Sequence, residues 1–341
     1  MVQWAMAHSL DDSQRTVAIV INPSKFDDPE ATRSQVDEFA KAAGWQPPRW
    51  FETSKDDSGA AAAEEALAGQ PDLVCAMGGD GTVRAVAGVL RGTSIPYGLL
   101  PSGTGNLLAR NLGIPIDDLD DALQVAFSGQ DHAIDVGLAT FDDGVERTFV
   151  VMGGVGLDAT IMDETDDDLK KKVGWGAYVA AAGANLIGGS FDASISVDGE
   201  HEVSQDCLMV LACNCSSVVA GIELAPGAEL DDGLLDLVML RPNVVAGWVG
   251  VAIDVVTGKR NGIGALKQWA GREFEFELDK PVLSELDGDP TGETRTGHFA
   301  VDPGALLVRL PVPAKRIPGL LGPAAPAAND DDADEVALDR S

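Results

Sequence analysis

The reading of this chain turns on one stretch, Cys75-Ala76-Met77-Gly78-Gly79-Asp80-Gly81-Thr82-Val83. The apolar run over residues 73–77 reads as a short buried strand. A helical pattern of apolar positions starts at Val83 and continues through Val86, Ala87 and Leu90. Between them lie Gly78, Gly79 and Gly81, which let the backbone turn sharply and approach a ligand closely. The amides of such a loop, with those of the next helix, form a pocket for anionic oxygens. Asp80 adds a carboxylate to that pocket. A carboxylate beside phosphates is tolerated when a cation lies between them, which points to Mg²⁺. The same residues also describe a glycine-rich turn with Asp80 as helix N-cap. The loop alone leaves both readings open.

Working outward, the strand–turn–helix pattern repeats. Residues 16–22 form a β-branched apolar run ending at Asn22-Pro23-Ser24. Asp28-Pro29-Glu30 opens a helix with proline in its first turn. Residues 50–53 are the next strand. Ser58 is expected to cap an alanine-rich helix through Leu67, closed by Gly69. Residues 95–100 form a fourth strand, followed by Pro101-Ser102-Gly103-Thr104-Gly105-Asn106 and by helices over 107–112 and 117–128. This alternation predicts an α/β domain with a parallel, doubly wound sheet. Ligands bind such sheets at the carboxyl ends of the strands. Asn22, Thr53, the Gly78–Thr82 loop and the Ser102–Asn106 loop would gather there.

Near Asp131 the pattern changes. Strands are expected over 132–139, 147–152, 191–197, 207–214, 234–240, 273–278, 281–286, 298–301 and 305–310. Helices are expected over 157–162, 168–187 and 244–257. That is a β-rich, sandwich-like second domain. The expected division is a flexible leader at 1–15, a nucleotide-binding domain at 16–131 and an acceptor domain at 132–312, with a hinge around 129–134. Residues 313–341 hold a Pro-rich segment, which returns to the first domain or stays apart, and a disordered acidic tail.

The 341 residues carry 24 basic and 55 acidic side chains, a net charge of −31. That balance argues against a nucleic-acid partner and against general adsorption to anionic membranes. Cys75, Cys207, Cys213 and Cys215 lack zinc-site spacing and read as buried, reduced thiols of a cytoplasmic protein. No signal peptide is visible at the start. The uncharged stretch 173–191 reads as a buried or groove-lining helix, with membrane contact as its alternative.

Gly78-Gly79-Asp80-Gly81-Thr82 and Pro101-Ser102-Gly103-Thr104-Gly105-Asn106-Leu107-Leu108-Ala109-Arg110, about 20 residues apart, resemble the catalytic domain of diacylglycerol kinases. That family includes sphingosine and ceramide kinases and soluble bacterial lipid kinases. Asn22-Pro23-Ser24 resembles its first phosphate loop, and Glu52-Thr53 its second-strand threonine. Ala225-Pro226-Gly227-Ala228-Glu229-Leu230-Asp231-Asp232-Gly233-Leu234-Leu235-Asp236 and Leu286-Asp287-Gly288-Asp289 resemble two later elements. The resemblance runs from about Thr16 to Leu310. It implies an N-terminal domain akin to NAD kinase and phosphofructokinase that holds ATP, facing a β-rich domain across a cleft. Asn22, Pro23, Ser24, Thr53, Gly78, Gly79, Asp80, Gly81, Thr82, Gly103 and Thr104 would serve the nucleotide. Asp80 would face the catalytic Mg²⁺ and phosphates, and Asp287 would act as general base. A second, structural Mg²⁺ would take the Asp232 carboxylate and the carbonyls of Glu229 and Leu234. The implied partner is a lipid at a membrane surface, met by peripheral contact from the cytoplasmic side.

The chain departs from the family pattern at three places. Arg84-Ala85 stand where the family often has Asn-Glu, so Arg84 either meets a phosphate or is an exposed helix residue. Asp289 replaces a glutamate, so its contact would run through water. Lys25-Phe26 replace small residues and put a charge near the phosphates or toward solvent. On local chemistry alone, Asp231-Asp232-Gly233 and Asp287-Gly288-Asp289-Pro290 are turns. The acidic run 163–168 reads as a solvated loop. His8, His132, His201 and His298 are assigned no site. Gly153-Gly154-Val155-Gly156-Leu157-Asp158 resembles a family segment at the interdomain cleft. NAD kinase activity and a catalytically inactive nucleotide- or lipid-binding protein are the rival functions. An edge strand could also pair in a homodimer.

Overall fold

The computed structural model describes residues 15–54, 58–156, 190–219, 222–240 and 266–312. The expected leader up to residue 14, the helices within 157–187 and 244–257, the acidic run 163–168, Lys170–Lys172 and the segment from 313 onward lie outside these residues.

The first domain is the expected parallel sheet. Strands β1 (Val17–Ile21), β2 (Arg49–Glu52), β3 (Leu73–Gly78) and β4 (Tyr97–Pro101) are ordered β2-β1-β3-β4. The register pairs Ile21 with Met77 and Gly78 with Pro101, so adjacent strands deliver their loops to one edge. Side chains alternate across β1. Val17, Ile19 and Ile21 pack with Val36 and Ala40 of α1 (Pro29–Ala42) and Phe127 of α5 (Leu119–Ser128). Ala18 and Val20 face the other side, with α2 (Ala60–Ala68) and α3 (Asp80–Leu90). The sheet is therefore covered on both faces. Each buried Val, Ile or Leu there contributes about 1.5–3 kcal/mol of transfer free energy. A short α4 (Leu107–Asn111) follows β4.

Two helix starts differ from expectation. Gly59, not Ser58, is the N-cap of α2, at φ 127°, a conformation open to glycine. A Cβ on Gly59 would also stand 3.1 Å from the Thr53 methyl. Helix α3 starts at Asp80 rather than Val83, because its first turn carries no apolar residue for periodicity to register. Gly79 holds its N-cap position, so Asp80 does not cap its own helix.

The second domain is a β-sandwich-like unit. It contains β5 (Gln130–Phe141), β6 (Glu146–Phe149), β7 (Met152–Val155), β8 (Phe191–Val197), β9 (His201–Cys207), β10 (Met209–Cys213), β11 (Ser217–Val219), β12 (Ile222–Glu223), β13 (Leu235–Leu240), β14 (Leu266–Gly271), β15 (Glu273–Leu286) and β16 (Asp289–Leu310). Its core holds Phe299 against the rings of Phe141, Phe149 and Phe276, at centroid distances of 6.1, 6.1 and 5.4 Å. The two strands expected over 273–286 are one strand, β15, with a register irregularity between Glu277 and Val282. Those expected over 298–310 both belong to β16, which is irregular between Asp302 and Leu306. Strand β16 ends beside β4, where Val308 pairs with Tyr97 in parallel, so one sheet runs through both halves. All four cysteines are free and buried. Among the described residues, no helix is long and apolar enough to cross a membrane.

Candidate active site

The two glycine loops lock together backbone to backbone. A Cβ on Gly103 would stand 2.7 Å from the Gly79 Cα, and one on Gly105 would stand 2.5 Å from an Asp80 carboxylate oxygen. The Ser102 amide donates to the Gly78 carbonyl (3.0 Å). Asn106, left-handed at φ 48°, closes its loop with both side-chain atoms: Oδ1 accepts from Gly103 N (2.9 Å) and Nδ2 donates to Gly103 O (2.8 Å). Asp80 joins the two loops. Its carboxylate accepts the Asn106 amide (3.0 Å) and the Leu107 amide (2.7 Å), so it caps α4 from outside. Burial pushes the Asp80 pKa up, opposed by those two amides. Each oxygen accepts one amide and retains capacity for another partner.

The remaining residues expected to serve a nucleotide are placed as follows. Asn22 Oδ1 accepts from Ser24 N (3.1 Å) and Ser24 Oγ (2.6 Å), and Pro23 starts the short turn between them. Lys25 does not turn away: its Cε lies 3.8 Å from where a Gly79 Cβ would be. Thr53 sits at the end of β2, its amide on Ile21 O (2.9 Å), and Thr104 is exposed. Thr82, by contrast, is buried, and its side chain fills the space beside Gly78, where a Cβ would meet it at 2.7 Å.

The second domain contributes Asp287. It is buried at the tip of the β15–β16 hairpin, with Asp287 at φ 50° and Gly288 at φ 88° between the paired Leu286 and Asp289. Positive φ at both central residues is a two-residue hairpin signature that Asp-Gly favours. The turn reading is thus correct, and the turn aims a carboxylate. Asp287 Oδ1 accepts the amides of Val151 (2.8 Å) and Met152 (3.0 Å), and Oδ2 accepts that of Val150 (3.0 Å). Burial raises its pKa, while the Arg84 charge and the amides oppose the rise.

Arg84 is not an exposed helix residue. From α3 it donates to the Leu286 carbonyl and to Asp289 Oδ2 (2.6 Å). It therefore grips both residues that flank the Asp287-Gly288 tip. Asp289 in turn hangs over the first turn of α3, its Oδ2 2.9 Å from a Cβ position on Gly81.

At the acidic turn, Asp232 Oδ1 accepts the Leu234 amide (2.9 Å). Burial and the carboxylates of Asp236, Asp135 and Glu229 push the Asp232 pKa up to about 6, against that amide. Asp135, which the sequence reading passed over, organises the turn. It is buried and accepts the amides of Gly233 (2.6 Å) and Gly304 (2.7 Å). His132 also has a partner, Asp231, at 2.8 Å. Among the described residues, no three His, Cys, Asp or Glu side chains converge as a metal cage. The sequence signal for Asp135 was an acid in the otherwise apolar run of β5. Glu285 was missed for the same reason, and it is fully buried on β15.

A parallel sheet with two interlocked glycine loops, continued into a β-sandwich-like half that carries a buried carboxylate turn, defines a two-domain kinase fold. Residues 16–139 match the diacylglycerol kinase catalytic domain, and residues 151–310 match the YegS C-terminal NAD kinase beta sandwich-like domain. The protein named "Probable lipid kinase YegS-like" of Pseudomonas aeruginosa is 33% identical over 259 residues, covering 73% of this chain and 80% of that protein. Its namesake in Klebsiella pneumoniae is 30% identical over 251 residues, covering 73% and 81%. A diacylglycerol kinase of Mycobacterium tuberculosis is 33% identical over 177 residues, covering 52% of this chain and 57% of that protein. This chain thus matches little more than half the length of that relative. A solved diacylglycerol kinase structure from Bacillus anthracis shares the fold, with a TM-score of 0.69 at 20% identity, covering 87% of this chain and 97% of that one. The chain belongs to the diacylglycerol kinase and YegS-like lipid kinase family.

Proposed function

We propose that this protein transfers the γ-phosphoryl group of ATP to the primary hydroxyl of a neutral glycerolipid of the diacylglycerol type. The observation that carries this reading is the Arg84 grip. It brings the phosphate-cradle helix and the Asp287 turn to one place, as transfer between a nucleotide and an alcohol requires. The cradle residues Gly78, Gly79, Gly81 and Gly103, with Lys25 above them, would hold the phosphates, and Asn22, Thr53 and Thr104 would flank the nucleotide. Mg²⁺ bound with ATP would neutralise charge on the transferring group. Asp80 fits that ion as a carboxylate already fixed by two amides. At the acidic turn, the burial and, after it, the carboxylate repulsion that raise the Asp232 pKa fit a second cation held by Asp232 and the carbonyls of Glu229 and Leu234.

Asp287 Oδ2 accepts one amide and Oδ1 two, so Oδ2 has room for the acceptor hydroxyl. As the hydroxyl oxygen bonds to the γ-phosphorus and the bond to ADP breaks, its proton passes to Oδ2. Such a base contributes roughly 10²–10⁴-fold. Asp287→Asn should lower turnover by about that factor and leave ATP affinity nearly unchanged. Its melting curve should shift down, because the new amide nitrogen cannot accept the Val150 N–H, so turnover is compared below that melting point. Retention of most of the activity would remove Asp287 as the base. The class itself is tested with γ-labelled ATP, Mg²⁺ and a panel of neutral lipids in mixed micelles, with NAD as control. Labelled NAD, or no labelled lipid, overturns the assignment.

A further inference from the structure

Glu285 is 0% exposed, yet one of its oxygens has no partner. Its Oε2 accepts the Gly288 amide at 2.7 Å, while Oε1 is buried and unbonded. A buried polar atom left in that state costs about 1–3 kcal/mol, unless a ligand satisfies it. The side chain lies on the sheet face that packs toward the first domain. Leu286 packs into the sandwich core, so its strand neighbour Glu285 lies on the opposite sheet face. Across that face, Glu285 pairs with Gly154 and Gly154 with Leu211, and Leu211 belongs to the core shared with the first domain. Glu285 precedes Asp287 by two residues; its Oε2 holds the Gly288 amide of the hairpin tip that carries Asp287, whose own carboxylate is held by the Val150–Met152 amides.

We propose that Glu285 is a substrate-positioning residue whose Oε1 donates a hydrogen bond to an ester carbonyl of the acceptor, beside the reacting hydroxyl. This rests on the glyceride reading above. Oε2 is engaged by the Gly288 amide and Oε1 is the free oxygen, so a neutral carboxyl would present its proton from Oε1. The protonation state agrees. Burial pushes the Glu285 pKa up to about 8; the Gly288 amide and Arg84 oppose the rise, and the charges of Asp287 and Asp289 add to it. Among the described residues, Cys213 on β10 also couples to Glu285, its own pKa raised by burial and by the neighbouring Cys215, Asp236 and Glu285.

The test compares diacylglycerol with its dialkyl ether analogue, which keeps the hydroxyl and lacks both carbonyls. In Glu285→Ala, KM for diacylglycerol should rise about tenfold, the value of one hydrogen bond near 1.4 kcal/mol, with kcat and KM for ATP unchanged. KM for the ether should not move, and Glu285→Gln, which retains a donor, should behave as wild type. The pH profile gives a second arm that needs only the well-tolerated Gln variant. The carboxyl is protonated below its raised pKa and loses its proton above it, so wild-type KM for diacylglycerol should climb above about pH 8. Glu285→Gln should stay flat. Equal losses on both lipids, no loss in Glu285→Ala, or a Gln variant that keeps the alkaline climb each overturn the inference alone. No product from either lipid with the wild type overturns the proposed function and this inference with it.

Discussion

Gly103 and Gly79 show how little room lies between the two glycine loops proposed to cradle the phosphates. An alanine at 103 would put its Cβ 2.7 Å from the Gly79 Cα, a backbone atom that cannot swing aside as a side chain would. The loops must part, and the amides on both sides of the cradle lose their alignment. Gly103→Ala should therefore raise KM for ATP at least about tenfold, because 1.4 kcal/mol of lost binding is one decade. The fold should survive, since Asp80 and Asn106 still clamp the loops. Binding of ATP followed by calorimetry, with a melting curve alongside, measures both. An unchanged ATP affinity would mean that the cradle does not hold the nucleotide. The glycines were legible in the sequence because glycine is the residue type such approaches demand. The job of Asp80 was not, because its partners Asn106 and Leu107 come from the next strand–helix unit. The buried carboxyls of Asp135 and Glu285 left only a faint trace, an acid within an apolar alternation, which local reasoning assigns to an exposed face.

At the scale of elements, the β15–β16 hairpin is held from two sides. Its tip takes the positive φ values that Asp-Gly favours, and the Val150–Met152 amides and Arg84 grip it from outside. Nothing lies within 4 Å of a Cβ at Gly288, so alanine there meets backbone strain without a clash. Such strain costs about 1 kcal/mol, and for a chain of this size it should lower Tm by roughly 1–2 °C. Turnover should stay within a few-fold if the outside contacts place Asp287. A loss as large as that of Asp287→Asn would show instead that the glycine sets its position. The first domain was readable because its parallel strands are short, unbroken apolar runs closed by punctuating loops. The second was harder. Asp279-Lys280-Pro281 and Asp302-Pro303-Gly304 have the chemistry of turns, yet the strands carry through them as irregularities. Strands β9 and β14 were not anticipated, since His201-Glu202-Val203-Ser204-Gln205-Asp206 is largely polar and β14 lies at the end of the sheet order.

Across the whole molecule, the sheet binds the two domains more closely than a simple hinge between them suggested. Strand β5 runs through the expected hinge, and β16 returns its end to β4. Arg91, the C-cap of α3, reaches Asp302 (2.7 Å) and Glu146 (2.9 Å) of the second domain. If the proposed lipid acceptor is presented in a bilayer, the net charge of −31 governs the encounter. An anionic bilayer, near −30 mV at its surface, repels it over a distance set by the Debye length, about 30 Å at 0.01 M salt and about 8 Å at 0.15 M. Raising salt should therefore increase the initial rate on diacylglycerol vesicles that contain anionic lipid, and leave the rate on neutral vesicles nearly flat. Mg²⁺ above the amount that saturates ATP should have the same effect at lower concentration, because a divalent ion screens more strongly. A basic peripheral enzyme shows the opposite slope. If the rate on anionic vesicles instead fell with salt, a local basic surface would be steering the approach against the global charge. The vesicle titration thus separates approach limited by overall repulsion from approach through a dedicated docking patch.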